Sequence, residues 1–232
     1  MIIATVNRRV FLTEYAEDLP TRDNFGIEDV TIEGISPDQV LVKVDTLSMD
    51  AWIRTTLSDA GMHTTSALGD TVRALGVGQV LESGYGGLKA GDWVFGMLCA
   101  QTHAVLAGSD LTAIVPEEGV KPGDFAGPLG VPAGLTAWVG LIAVGEVRAG
   151  DVVVVSGAAG GVGSCVVQLA KARGAHVIGI AGGPEKCAYL TETLGADTAI
   201  DYKAGDVSGQ LANAAPDGID VFFDNVGGDI LD

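Results

Sequence analysis

The sequence predicts an α/β chain of two domains, a small, mostly antiparallel β-barrel followed by part of a doubly wound parallel sheet. Three observations carry this prediction. Short period-two segments punctuated by glycine fill the first hundred residues, and strands alternate with helices in the later half. Residues 151–163, DVVVVSGAAGGVG, set a run of four valines before a glycine-rich turn.

In the first half, Val40, Val42 and Val44 alternate with Leu41, Lys43 and Asp45, the pattern of a half-buried strand. Further strands are expected over 9–13, 26–32, 75–81, 93–97 and 103–107. Gly76 and Gly78 within one strand point to a bulge or a sharp corner, as a barrel requires. Four of the eight prolines, Pro116, Pro122, Pro128 and Pro132, cluster between the two patterns. The boundary is expected there, giving domains 1–122 and 123–232. KAGDWVF from Lys89 and RAGDVVV from Arg148 share a Gly-Asp turn that launches a strand, without forming a repeat.

The second half reads as a strand at Val152, a helix at Val162, a strand over 175–181, a helix at Pro184, a strand at Thr198, a helix near Asp206 and a strand at Ile219. A continuous valine run suits a strand buried on both faces of a parallel sheet. Beyond it, Gly157, Gly160, Gly161 and Gly163 allow a tight turn beneath a pyrophosphate, with the helix dipole facing the anion. Gly174 stops that helix, and Pro184 suits the first turn of the next. An NAD-selective site places an acid roughly 20 residues past the glycines to hold the adenosine ribose. This chain has Ala181, Gly182 and Gly183 there, then Lys186. Small residues with a lysine leave room and charge for a 2'-phosphate, so NADP is the expected cofactor.

Thirty acidic against thirteen basic residues give a net charge of −17, which disfavours nucleic acid and anionic membranes as partners. No apolar run approaches the ~20 residues of a membrane span. The N-terminus places its apolar residues ahead of its arginines, the reverse of a secretory signal, so a cytoplasmic setting is expected. Cys99, Cys165 and Cys187 form no even disulfide set and no CxxC spacing, and are expected to be reduced and buried. Cys165, near the start of the glycine-turn helix, is a candidate for a lowered thiol pKa, although packing is the simpler role. His63, His103 and His176 are scattered, and no metal site is expected.

Several separated segments together resemble the medium-chain dehydrogenase/reductase superfamily, and within it the zinc-free prostaglandin reductase, or leukotriene B4 12-hydroxydehydrogenase, group. They are SMDAWIR from Ser48, GDWVFGM from Gly91, LGVPAGLTAWVG from Leu129, GAAGGVG from Gly157, GGPEKCAYL from Gly182, DYK from Asp201 and DNVGG from Asp224. Zinc-dependent members carry a Gly-His-Glu where this chain has Leu68, Gly69 and Asp70. The resemblance implies a GroES-like barrel, a Rossmann domain, and metal-free, NADPH-dependent reduction of the carbon-carbon double bond of small α,β-unsaturated ketones and aldehydes. Hydride would pass from the nicotinamide to the β-carbon, with hydrogen-bond donors holding the developing enolate. Alternatives are a non-catalytic NADPH-binding protein, sensing or structural, and a quinone reductase of the same superfamily.

The same resemblance implies that Ala159, Gly160, Gly161, Val162 and Gly163 meet the phosphates and Lys186 and Tyr202 the 2'-phosphate, with Asn225 and Thr136 near the nicotinamide. Trp52, where the group has a tyrosine, is the candidate wall of the substrate pocket, with the polar loop over 58–70 as a candidate lid. Asp50 and Arg54, four residues apart, are expected to pair and orient this segment. The tyrosine that holds the enolate in the group lies past Asp232, so no catalytic residue is assigned. The chain is expected to be a fragment of a longer, homodimeric protein whose remaining residues complete the sheet.

Overall fold

The computed structural model of the chain describes residues 5–59 and 64–231. His63 and residues 60–63 of the expected lid lie outside the described residues. The chain divides into two compact units, residues 1–126 and 127–232.

In the first unit, five antiparallel strands form one sheet in the order β6-β3-β4-β5-β7: β3 (Gln39–Leu47), β4 (Gly76–Ser83), β5 (Trp93–Gly96), β6 (His103–Ala107) and β7 (Thr112–Ile114). A hairpin of β1 (Thr5–Leu12) and β2 (Phe25–Ile32) forms a separate two-stranded sheet, with isolated bridges from Arg9 to Gln101 and from Phe11 to Thr71. Cross-strand neighbours Arg8 and Asp29 pair at 2.8 Å, which adds sequence-specific register to the hairpin.

The register of β3 against β4 shifts between Val44 and Thr46, opposite Gly78 and Val77. A Cβ on Gly78 would come 2.5 Å from the Lys43 carbonyl oxygen, so only glycine lets the strands close up at this bulge. Val40, Val42, Val80, Val94, Leu98 and Ala104 fill the core beneath. Three Gly-Asp turns use one device. In each, the aspartate accepts from the amide three residues earlier, Asp70 from Ala67, Asp92 from Lys89 and Asp151 from Arg148, across Gly69, Gly91 and Gly150 at positive φ.

The short β7 and the helix α1 (Ala51–Thr56) carry too few periodic residues to stand out in the sequence. The expected Asp50–Arg54 pair does not form. Asp50 caps α1 with extended backbone, φ −100° and ψ 150°, so helical i to i+4 spacing does not begin with it. Its carboxylate accepts from Ser48 Oγ at 2.7 Å and Trp52 Nε1 at 3.1 Å, while Arg54 donates to the Asp18 carbonyl.

The second unit holds four parallel strands, β8 (Val152–Val155), β9 (His176–Ala181), β10 (Thr198–Asp201) and β11 (Val221–Phe223), in the order β10-β9-β8-β11. The valine run is buried on both sides, as its composition requires. Val153 and Val155 pack with Val166, Val167 and Ala170 of α3 (Gly161–Ala172), and Val154 packs with Ile178, Ile180 and Ile200 on the other face.

A helical segment over 131–144, in which α2 (Thr136–Trp138) is flanked by wider π turns, adds Ala137 and Leu141 to the α3 side. The connections from β9 to β10 and from β10 to β11 run through α4 (Pro184–Ala188) and α5 (Val207–Ala214). Asp206 caps α5 by accepting from the Gly209 amide at 3.0 Å. Among the described residues, no helix is long and apolar enough to cross a membrane.

Candidate functional site

The strand order makes β8 and β11 neighbours that leave for opposite sides of the sheet, and this reversal opens a crevice beyond their carboxyl ends. The glycine turn lies there. Gly157, at φ +56°, reverses the chain after β8, and the Ala158 amide ties the turn to Ile180 of β9 at 3.0 Å. A Cβ on Gly163 would overlap the Gly157 carbonyl oxygen and lie 2.7 Å from Ala158 Cα, so the third glycine lets α3 start directly against the turn.

Gly160 is the extended N-cap of this twelve-residue helix, no side chain caps it, and its first turn holds no acid. The opening amides of a helix lack intrahelical acceptors. Gly161 has open space where a Cβ would stand. The start of α3 therefore presents unused donors and a positive dipole end to an approachable surface, the arrangement that fits a phosphate group.

A cleft of about 360 Å³ continues from this turn, lined by Gly157, Ala159, Gly160, Ile180, Ala181, Gly182, Lys186, Tyr202, Val226 and Ile230. The Tyr202 ring lies over Gly182, where a Cβ would come within 2.7 Å of its Cε1. Lys186 reaches the same wall from α4 and is exposed. β9 itself ends without a carboxylate, but folding brings Asp201 to this end of the sheet. One oxygen of Asp201 is already engaged, accepting from the Gly183 amide at 2.8 Å and the Lys203 amide at 2.9 Å.

Four of the expected cofactor residues, Ala159, Gly160, Lys186 and Tyr202, thus line one cleft, with Gly161, Val162 and Gly163 in the adjoining helix turn. Thr136 does not line this cleft, and its hydroxyl donates to the Val131 carbonyl at 2.9 Å.

Asn225 belongs to a cluster that sequence reading missed. Buried Ser156 donates to Asp224 at 2.6 Å and accepts from the Asn225 amide at 2.7 Å, while Asn225 Nδ2 donates to the Ser156 carbonyl at 2.9 Å. The Ser156 hydroxyl and the amides of Val226 and Gly227 hold the Asp224 carboxyl below the usual carboxylate range, against a smaller effect of burial. This latch joins the ends of β8 and β11 immediately behind Gly157 and Val226, two walls of the cleft. The legible signal was a lone serine after four valines, facing an acid at the end of another strand.

The thiols are half-buried and unpaired. Burial pushes Cys165 up, so its position near the helix start does not activate it; burial and Asp201 push Cys187 up. Among the described residues, no group of three or more histidine, cysteine, aspartate or glutamate side chains is placed to hold a metal.

In the first unit, Trp52, Thr56, Thr64, Arg73, Leu75 and Met97 line a separate cavity of about 280 Å³. The Asp50 hydrogen bond sets the tilt of the Trp52 indole in its wall.

A family described as the N-terminal domain of oxidoreductase matches residues 8–114, and one described as zinc-binding dehydrogenase matches residues 161–232. An NADPH-dependent curcumin reductase of Escherichia coli is 36% identical over 227 residues, 97% of this chain and 65% of that protein. A 2-alkenal reductase (NADP(+)-dependent) of Nicotiana tabacum is 36% identical over 232 residues, covering 97% of this chain and 67% of its own length. The crystal structure of CurA from Vibrio vulnificus in complex with NADPH superposes with a TM-score of 0.86 at 34% identity, over 97% of this chain and 66% of that one. The chain thus spans about two thirds of the length of these relatives. Shared strand order, glycine turn and sequence place the chain in the zinc-free medium-chain dehydrogenase/reductase family, in the group that contains the curcumin, 2-alkenal and prostaglandin reductases.

Proposed function

We propose that the protein is an NADPH-dependent reductase of the carbon-carbon double bond in small α,β-unsaturated ketones and aldehydes. The observation that carries this reading is the uncapped start of α3 opening into a cleft walled by Lys186 and Tyr202. The names of the curcumin and alkenal reductase relatives support the same chemistry. Gly160, Gly161, Val162 and Gly163 bind the pyrophosphate through backbone amides, while Lys186 and Tyr202 hold the 2'-phosphate by charge and hydroxyl.

Asp201 leaves NADPH selectivity intact because the Gly183 and Lys203 amides already draw on the oxygen nearest them. Asn225 positions the nicotinamide half indirectly, through the Ser156 latch, and Thr136 contacts the nicotinamide. When bound, NADPH supplies the hydride, and residues 1–122 form the substrate domain, with Trp52 as a pocket wall.

The same reading carries a cytoplasmic setting, supported by three thiols without disulfide partners, and a homodimeric protein. It carries no nucleic-acid or membrane partner, in keeping with the net charge of −17. The test is loss of near-ultraviolet NADPH absorbance on addition of a simple enone, beside an NADH control. Consumption of NADPH well above NADH supports the assignment. Tight NADPH binding without turnover of any enone replaces it with a non-catalytic nucleotide-binding role, and turnover of quinones alone moves it to that substrate class.

A further inference from the structure

Asp201 stands beside the cleft of the second unit without lining it. It ends β10 in register with Ala181, the last residue of β9, and its side chain is half-buried. One oxygen of its carboxylate, Oδ1, serves two segments, accepting from the Gly183 amide at 2.8 Å and from the Lys203 amide at 2.9 Å. The first amide belongs to the loop that joins β9 to α4 and carries Gly182 and then Lys186. The second belongs to the turn over Tyr202–Ala204, which Asp201 caps. Gly182, Lys186 and Tyr202 all line the cleft, so two of its wall segments hang from a single acceptor.

The loop needs such a tie. Consecutive glycines have many accessible conformations, and the Asp201 bond selects one, with Gly183 at φ +93°. The Tyr202 ring then rests on that loop: a Cβ on Gly182 would come 2.7 Å from Tyr202 Cε1 and 2.8 Å from Cζ and Oη. A carboxylate bonded to two amides is a strong, charge-assisted clamp. Beside a phosphate site its charge by itself opposes the ligand, so charge and positioning pull NADPH binding in opposite directions.

We propose that Asp201 is a positioning residue for nucleotide selectivity, holding Lys186 and Tyr202 in the arrangement that admits a 2'-phosphate and so favouring NADPH over NADH. It acts through the Gly183 and Lys203 amides and touches no ligand. This rests on the NADPH reading above and adds to it the residue that builds the selective wall.

The experiment measures the NADPH and NADH Kd values by fluorescence titration for the protein, Asp201→Asn and Asp201→Glu. Asparagine keeps an acceptor oxygen at the same reach without the charge, whereas glutamate keeps the charge and moves it by one methylene. Asp201→Asn is expected to hold the NADPH preference within about threefold of the unaltered protein, and Asp201→Glu to lose about tenfold of it, all in the NADPH Kd. The NADH Kd should stay within about twofold in both. Tighter NADPH binding in Asp201→Asn, or an unchanged preference in Asp201→Glu, overturns the proposal, because charge and not position would then govern. Equal weakening of both nucleotides in a folded variant makes Asp201 a general brace and overturns it too. Should circular dichroism show Asp201→Glu unfolded, Asp201→Asn decides alone, a retained preference supporting the proposal and tighter NADPH overturning it. Binding is read separately from turnover, so the expected selectivity pattern without enone reduction sinks the reductase chemistry and leaves this proposal standing. An unaltered protein with no preference for NADPH overturns both.

Discussion

Lys186 and Tyr202 illustrate how much one residue can decide in a cleft whose remaining walls are glycine, alanine and aliphatic side chains. A lysine contributes to phosphate binding as a flexible point charge, so its removal should weaken NADPH without touching NADH. Lys186→Gln is expected to raise the NADPH Kd about tenfold, or ~1.4 kcal/mol, and to leave the NADH Kd within about twofold, read by fluorescence titration of the reduced nicotinamide. Ser66 makes the opposite point about stability. Its hydroxyl is buried and, among the described residues, is the one buried side-chain polar atom without a hydrogen-bond partner. A buried hydroxyl with no partner costs free energy that a methyl group does not, so Ser66→Ala should raise the unfolding free energy by about 1 kcal/mol in a urea titration. A loss of stability would show that the hydroxyl is satisfied after all.

Between elements, the glycine turn depends on contacts that no one strand or helix supplies. Ser156 and Asp224 lie 68 positions apart in sequence and meet at 2.6 Å only because β8 and β11 are adjacent. Ser156→Ala leaves both the Asp224 oxygen and the Asn225 amide short of a partner, and is expected to cost about 2 kcal/mol together with a severalfold rise in NADPH Kd. Ser156→Thr, which keeps the hydroxyl, should retain more of the binding than Ser156→Ala, a distinction that follows from the latch and not from cavity size.

A second tie closes the far end of the sheet. Lys171 of α3 donates to Asp197 at 2.8 Å, the Val177 amide donates to the same carboxylate at 2.7 Å, and His176 Nδ1 stands 3.6 Å away. Burial works to raise the Asp197 pKa, but the Lys171 and Val177 hydrogen bonds and the charges of Lys171 and His176 outweigh it and hold the carboxyl below its ordinary value. A carboxylate depressed by folding contributes stability that is fully present above the unfolded value of about 4 and is lost as pH falls through the lowered folded value. Asp197→Asn should therefore flatten the acid limb of stability against pH, measured by urea unfolding, and leave its slope near neutrality unchanged. An identical acid limb in the variant would remove Asp197 as its source.

Across the whole molecule, a net charge of −17 opposes binding of any polyanion, so attraction for a phosphorylated cofactor has to be local. In the proposed site, the start of α3 and Lys186 provide it within one cleft. Ligand binding to the folded state alone stabilises by RT ln(1 + [L]/Kd), about 2.7 kcal/mol at one hundred times Kd. NADPH at that excess is expected to slow amide exchange in β8, β9 and α3 by this amount, while the hairpin β1–β2 gains less. Equal protection of both would argue for binding elsewhere.

Much of this architecture was legible in the chain because local physics writes it there. Four consecutive valines demand burial on two faces, Gly174 and Pro184 punctuate helices, and alternating Val40, Val42 and Val44 demand a half-buried strand. The glycine turn was equally open to reading, since its glycines serve backbone conformation and close approach, both tied to sequence position. The 131–144 helical segment escaped because Pro132, Gly134 and Gly140 interrupt its period, and the Asp50–Arg54 pair failed because a helix cap does not obey helical spacing. What tertiary structure alone decided are the meetings of residues far apart in the chain: Ser156 with Asp224, Asp201 with the Gly183 amide, and Tyr202 over Gly182. Periodicity and turn chemistry act over a few residues, whereas these contacts depend on strand order and on which competing partner comes closest, and both are settled only when the sheet assembles.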